Sequence, residues 1–118
     1  MIIKVIKQQW DYNLLYTHMI YDDAYNYIAS GDLIEQLDSL MFEKIYVDPL
    51  YRGQGYGKKI VELLLEQCLK SKINNVYLKV HYDNIQAQNL YKKYGFIIDS
   101  IDNQYVWMNL KTNFKTKI

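Results

Sequence analysis

Met41-Phe42-Glu43-Lys44-Ile45-Tyr46-Val47-Asp48-Pro49-Leu50-Tyr51-Arg52-Gly53-Gln54-Gly55-Tyr56-Gly57 carries three of the chain's five glycines within five residues, beside its single arginine and single proline. Met41 to Val47 reads as a strand, stopped by Asp48-Pro49, because proline cannot donate to a central ladder. Tyr56 to Lys70 reads as a helix. Ile60, Val61, Leu64 and Cys68 fall on one face, and Lys58, Lys59, Glu62, Glu66 and Lys70 on the other. Between them lies a glycine-rich turn. The first amides of a helix have no internal partner, and the helix dipole places partial positive charge there. Glycines remove the Cβ atoms that would keep an anion away. Such a turn suits phosphate or pyrophosphate, and Arg52 and Lys58 add full charges. The spacing is neither a P-loop, which needs a terminal Gly-Lys-Ser/Thr, nor the dinucleotide Gly-x-Gly-x-x-Gly. A turn without a ligand is the plain alternative.

Outward from this stretch the pattern is coarser. Ile2 to Lys7 is a short β-branched strand. Leu14 to Tyr21 and Tyr25 to Ala29 suggest a hairpin about Asp22-Asp23, although Leu14, His18 and Tyr21 also satisfy helical spacing. Ser30-Gly31-Asp32 reads as a turn. Downstream, Val76 to Val80 is a strand and Ile85 to Tyr94 a short helix. Phe96 to Ile101 and Tyr105 to Leu110 form a hairpin about Asp102-Asn103-Gln104. Lys111 to Ile118 reads as a frayed polar tail. The order predicts an α/β (α+β) fold with a mixed sheet, in one domain spanning residues 1–118.

Two stretches resemble the GNAT family of acyltransferases. Phe42 to Gly57 is similar to the family's acidic strand followed by Val-x-Pro-x-Tyr-Arg-Gly-x-Gly-x-Gly. Asn84-Ile85-Gln86-Ala87-Gln88-Asn89-Leu90-Tyr91-Lys92-Lys93-Tyr94-Gly95-Phe96 resembles its Asn-x-x-Ala-x-x-Leu-Tyr-x-x-x-Gly-Phe signature. Together they cover about half the chain, in the family's order and spacing. The resemblance implies a mostly antiparallel sheet with a central pair of splayed parallel strands, Met41–Val47 and Val76–Val80. It implies acetyl-CoA (coenzyme A) as cofactor. The backbone of Ile45, Tyr46 and Val47 would then bind the pantetheine arm. The amides of Arg52, Gly53, Gln54, Gly55, Tyr56, Gly57 and Lys58 would cradle the pyrophosphate. Asn84 would contact the arm or cap the second helix; both fit an asparagine at that place.

Tyr91 is the candidate general acid implied by the signature, since a departing thiolate needs a proton or a hydrogen bond and a phenol supplies one. It also contacts the cofactor in this reading; the alternative is one core tyrosine among thirteen. Glu43 is the candidate general base, because an amine must shed a proton before it attacks; otherwise it is a solvated strand carboxylate or one that attracts a cation. Glu35 and Asp38 are weaker substitutes. His81 ends a strand near the implied cleft, and His18 is unplaced. One cysteine and two distant histidines make no metal site. Cys68, on an apolar helix face, reads as a small hydrophobe.

The chain departs from the family before residue 41. The two helices that normally follow the first strand are reduced or absent, which leaves the acceptor side open. An open site suits a protein lysine, a protein N-terminus or a pocket completed in a homodimer better than a small enclosed amine. Net charge of +1 gives no reason to expect nucleic acid or a membrane surface as partner. No apolar run approaches the roughly 18 residues of a membrane span. The lone cysteine and the charge-interrupted start fit a cytoplasmic protein. The expected function is transfer of an acetyl group from acetyl-CoA to a primary amine, of a small molecule or a protein. The competing class is a non-catalytic acyl-CoA-binding or protein-interaction module.

Overall fold

The computed structural model describes residues 1–111. The elements run β1 (Ile2–Trp10), β2 (Asn13–Tyr21), β3 (Tyr27–Glu35), β4 (Leu40–Val47), a 3-10 turn (Pro49–Tyr51), α1 (Tyr56–Cys68), β5 (Asn75–His81), α2 (Ile85–Lys93), β6 (Ile97–Ile101) and β7 (Tyr105–Lys111). The strands form one sheet in the order β1-β2-β3-β4-β5-β7-β6. Only β4 and β5 are parallel. The expected mixed sheet with a central parallel pair is therefore present. The tail beyond Lys111 lies outside the described residues.

The regular structure of the first forty residues is all strand. β1 continues past Lys7 to Trp10 because it is an edge strand, whose polar residues keep their ladder to β2 while facing water. A two-residue turn at Asp11-Tyr12, with Asp11 left-handed at φ 51°, leads straight into β2. No helix intervenes there. The β2–β3 turn is built by Asp22, whose Oδ1 accepts from the amides of Ala24 and Asn26. Helical spacing at Leu14, His18 and Tyr21 is thus overruled by β pairing on both sides.

One expectation is corrected. Ser30-Gly31-Asp32 is no turn; it lies within β3. Gly31 is there for packing. A Cβ at this position would sit 2.6 Å from Ile60 Cγ2 and 3.3 Å from both Ile45 Cγ1 and Leu64 Cδ1, so the bare backbone lets α1 settle onto the sheet. The main core lies between α1 and this face, with Phe42, Ile60, Leu64, Val76, Leu78 and Met108 essentially inaccessible. The second helix joins α1 through Tyr94 Oη donating to Glu62 Oε2 at 3.2 Å and through Leu90 against Gly57.

The bend that positions the site is also local. Asp32 pairs with Glu43 and Ser30 with Tyr46, so Lys44 and Ile45 together oppose Gly31. Lys44 takes φ 52°. An extra residue on one strand bends it and sharpens its twist. Beyond Met41↔Tyr77, β4 and β5 are no longer paired.

Candidate active site

The parting of β4 from β5 opens a cleft of about 650 Å³. Ile45, Tyr46 and Val47 form one wall. Tyr51 to Lys58, apart from Gln54, forms the mouth at the start of α1, and one side of α2 forms the other wall. Eleven of the thirteen residues singled out from the sequence line it: Ile45, Tyr46, Val47, Arg52, Gly53, Gly55, Tyr56, Gly57, Lys58, Asn84 and Tyr91. The other two, Gln54 and Glu43, are not among the lining residues. Gln54 turns its side chain back, with Nε2 3.4 Å from the Leu50 carbonyl. Glu43 sits before the bulge, one strand partner from Asp32.

The mouth is electrically one-sided. Arg52, Lys58 and Lys93 line the cleft, and no carboxylate does. Gly55, left-handed at φ 89°, is the N-cap of α1, and no side chain caps that helix; its first turn also lacks acidic residues. Nothing lies within 4 Å of where a Cβ on Gly53 or Gly55 would be. The amides of this turn are therefore open to an anion. The second helix shows the contrast: Asn84 Oδ1 accepts from Ala87 N at 3.2 Å and caps it from within. Asn84 thus performs the capping role and faces the cleft as well.

Arg52 is held in place. Its Nε donates to the Val47 carbonyl at 3.0 Å, and its guanidinium lies 5.4 Å from the Tyr46 ring centroid. The guanidinium is fixed at the end of β4, and the Val47 carbonyl is already engaged.

Tyr91 lies deep in the cleft at 8 % exposure, its ring against Phe96. Burial raises its pKa to about 12, so the phenol stays protonated and keeps its O–H to donate. Cys68 is fully buried, and burial pushes its thiol up to about 12; it packs as a small hydrophobe. His81 does not line the cleft. Its Nδ1 meets Asp83 Oδ1 at 2.5 Å, and its ring stacks on Tyr82.

Sequence reasoning missed Tyr51, Gln86, Ala87, Asn89, Leu90 and Lys93 as lining residues. A usable signal was present: stepping back from Tyr91 by helical turns reaches Ala87 and then Asn84.

Known proteins resemble this chain in sequence and in fold. The chain is 32% identical over 90 residues to a [ribosomal protein bS18]-alanine N-acetyltransferase of Haemophilus ducreyi, covering 76% of this chain and 62% of that one. It is 33% identical over 55 residues to a spermine/spermidine N(1)-acetyltransferase of Bacillus subtilis, covering 46% of this chain and 36% of that one. It spans less than two thirds of the length of these relatives. The fold matches the crystal structure of the ribosomal-protein-S18-alanine N-acetyltransferase of Escherichia coli with a TM-score of 0.73 at 23% identity, over 87% of this chain and 71% of that one. Residues 7–96 match the model of the acetyltransferase (GNAT) family, and this chain belongs to that family.

Proposed function

We propose that this chain is an N-acetyltransferase that holds acetyl-CoA in the β4–β5 cleft and passes the acetyl group to an amine. The observation that carries the reading is the lining of the cleft, with three cations, no carboxylate and an uncapped helix start at its mouth, in a chain of net charge +1. That combination suits a polyanionic cofactor. Relatives named for an alanine of ribosomal protein bS18 and for spermine or spermidine support an amine as the acceptor class.

Bound acetyl-CoA supplies the thioester, whose acetyl carbon the amine attacks as the C–S bond breaks. The amides of residues 52–58, with Arg52 and Lys58, hold the pyrophosphate. Ile45 and Tyr46, with the Val47 backbone, offer an unpaired strand edge to the pantetheine arm, and Asn84 fixes α2 beside it. Glu43 takes the proton of the attacking amine, directly or through water. Tyr91 donates a hydrogen bond to the departing sulfur. Its phenol, at about 12, is a weaker acid than an ordinary thiol near 8.5. Complete transfer would therefore cost roughly 5 kcal/mol, and the role that fits is stabilisation of the thiolate.

The test combines binding and turnover. Wild-type protein incubated with acetyl-CoA and a panel of amines and peptides should release free thiol and add an acetyl mass to an acceptor. Tyr91→Phe should lower kcat about 10- to 100-fold, the worth of one hydrogen bond to a charged group, while acetyl-CoA still binds. Binding without transfer across the panel would leave a non-catalytic acyl-CoA-binding module. An unchanged rate in Tyr91→Phe would remove Tyr91 from the mechanism.

A further inference from the structure

The anion cradle at the mouth is a loop that must hold its shape before the anion arrives. Gly53 and Gly55 are both left-handed, at φ 77° and 89°, and nothing lies within 4 Å of where a Cβ on either would be. Residues 52–55 are exposed. Glycines have the most backbone freedom to lose on ordering, so the affinity of such a loop depends on how far the fold has ordered it in advance. A half-buried tyrosine stands on either side of it. Tyr51 ends the 3-10 turn and Tyr56 opens α1, and their rings meet edge to face with centroids 5.9 Å apart. Both pack against the core. The two rings clasp the loop at its base.

One side of this clasp is tied to a distant hairpin. Tyr51 Oη donates to Asp22 Oδ2 at 3.2 Å, across 29 positions of sequence. The β2–β3 turn does not require that bond. Asp22 Oδ1 already accepts from the amides of Ala24 and Asn26, both at 2.9 Å, and the Asp22 amide donates to the Asn26 carbonyl at 3.0 Å. Oδ2 is left to take the Asn26 side-chain amide at 3.0 Å and the Tyr51 hydroxyl. Hydrogen bonds, that from the Asn26 side chain foremost, hold the Asp22 carboxyl below its usual pKa. It is therefore ionised at neutral pH and a strong acceptor. The neighbouring backbone is fastened at the same place, where the Asp48 amide donates to the Ile28 carbonyl at 2.8 Å and Asp48 Oδ1 accepts from the Leu50 amide at 3.0 Å.

We propose that Asp22 is a positioning residue for the cofactor: by holding Tyr51 it fixes the clasp, and through the clasp it presets the amides of residues 52–58 for the pyrophosphate. The inference rests on the acetyl-CoA reading above. Asp22 lies in neither of the two stretches that carry the family resemblance, and it acts through Tyr51 without lining the cleft itself.

Tyr51→Phe keeps the ring and removes the bond. It should weaken acetyl-CoA binding about 3- to 10-fold by titration calorimetry, the usual reach of a change that acts through a network. Asp22→Asn should do the same, and the double variant should bind no worse than either single one, since both remove one interaction. In the ligand-free protein, order parameters from nitrogen-15 relaxation should fall at Gly53 and Gly55 in Tyr51→Phe. In turnover, Asp22→Asn should raise KM for acetyl-CoA and not lower kcat. Tyr27→Phe is the control: the Tyr27 hydroxyl meets Ser30 Oγ at 2.6 Å and does not line the cleft, so its loss should leave acetyl-CoA affinity and the glycine order parameters alone even where stability falls. Unchanged affinity in Tyr51→Phe, additive losses in the double variant, or an equal loss in Tyr27→Phe would overturn the role of Asp22 and leave the acetyltransferase reading standing. Failure of the wild type to bind acetyl-CoA would overturn both.

Discussion

Burial decides what two ionisable side chains of this protein can do. Tyr91 is kept as a neutral donor by the apolar wall around it. His18 is kept neutral from the other direction. It is 3 % exposed, its Nδ1 is buried without a partner, and desolvation outweighs the backbone contact with Tyr16 that would raise its pKa. The unfolded chain takes up a proton at this histidine as the pH falls through about 6.5, whereas the folded chain resists it. The stability contributed by His18 is therefore fully present above that pH and is lost as the medium becomes more acidic. Denaturant titrations at successive pH values should show wild type losing stability between neutral and mildly acid pH more steeply than His18→Leu. Identical slopes would show that the histidine is not held neutral. Tyr91 was legible in the sequence because it sits in a fixed signature. His18 was not, because its burial follows from pairing with Gly31 on a strand whose own identity was ambiguous.

The bulge in β4 and the missing side chain at Gly31 act as one device. Lys44 and Ile45 share a single partner, β4 bends away from β5, and α1 descends onto the bare backbone opposite. Gly31→Ala should therefore cost about 1–3 kcal/mol, the usual penalty for overpacking a filled core, and the added methyl would push directly on Ile60. In urea unfolding, Ile60→Ala should recover part of that loss in the double variant, a coupling that independent sites do not show. Additive effects would mean that helix and bulge are not in contact through this position. From the sequence, Ser30-Gly31-Asp32 has the chemistry of a turn. The reason it is a strand lies in α1, some thirty residues downstream, and no local pattern reports such a contact. The β4–turn–α1 unit was legible for the opposite reason, since its glycines, proline and apolar period are all local signals.

Among the described residues, one face of the sheet is covered by helices and the other by none. The sheet order, the parallel pair and the cleft follow from the two matched stretches. The departure before β4 was also visible as a shortage of residues between the first strand and the acidic one. The four strands that fill this space were expected, but not their extent: β1 runs on to Trp10 and β3 to Glu35, because an edge strand tolerates polar residues that blur the alternation and Ser30-Gly31-Asp32 looks locally like a turn. The helix-covered face is what builds the cleft. The central claim is that this cleft binds acetyl-CoA. Thermal unfolding with and without the cofactor tests it most directly, with ATP and NAD as controls for simple phosphate binding. At ~100 times its dissociation constant, acetyl-CoA should add about 2.7 kcal/mol to the folded state, a rise of several degrees that neither control reproduces. No shift at millimolar acetyl-CoA, or an equal shift with ATP, would contradict the account.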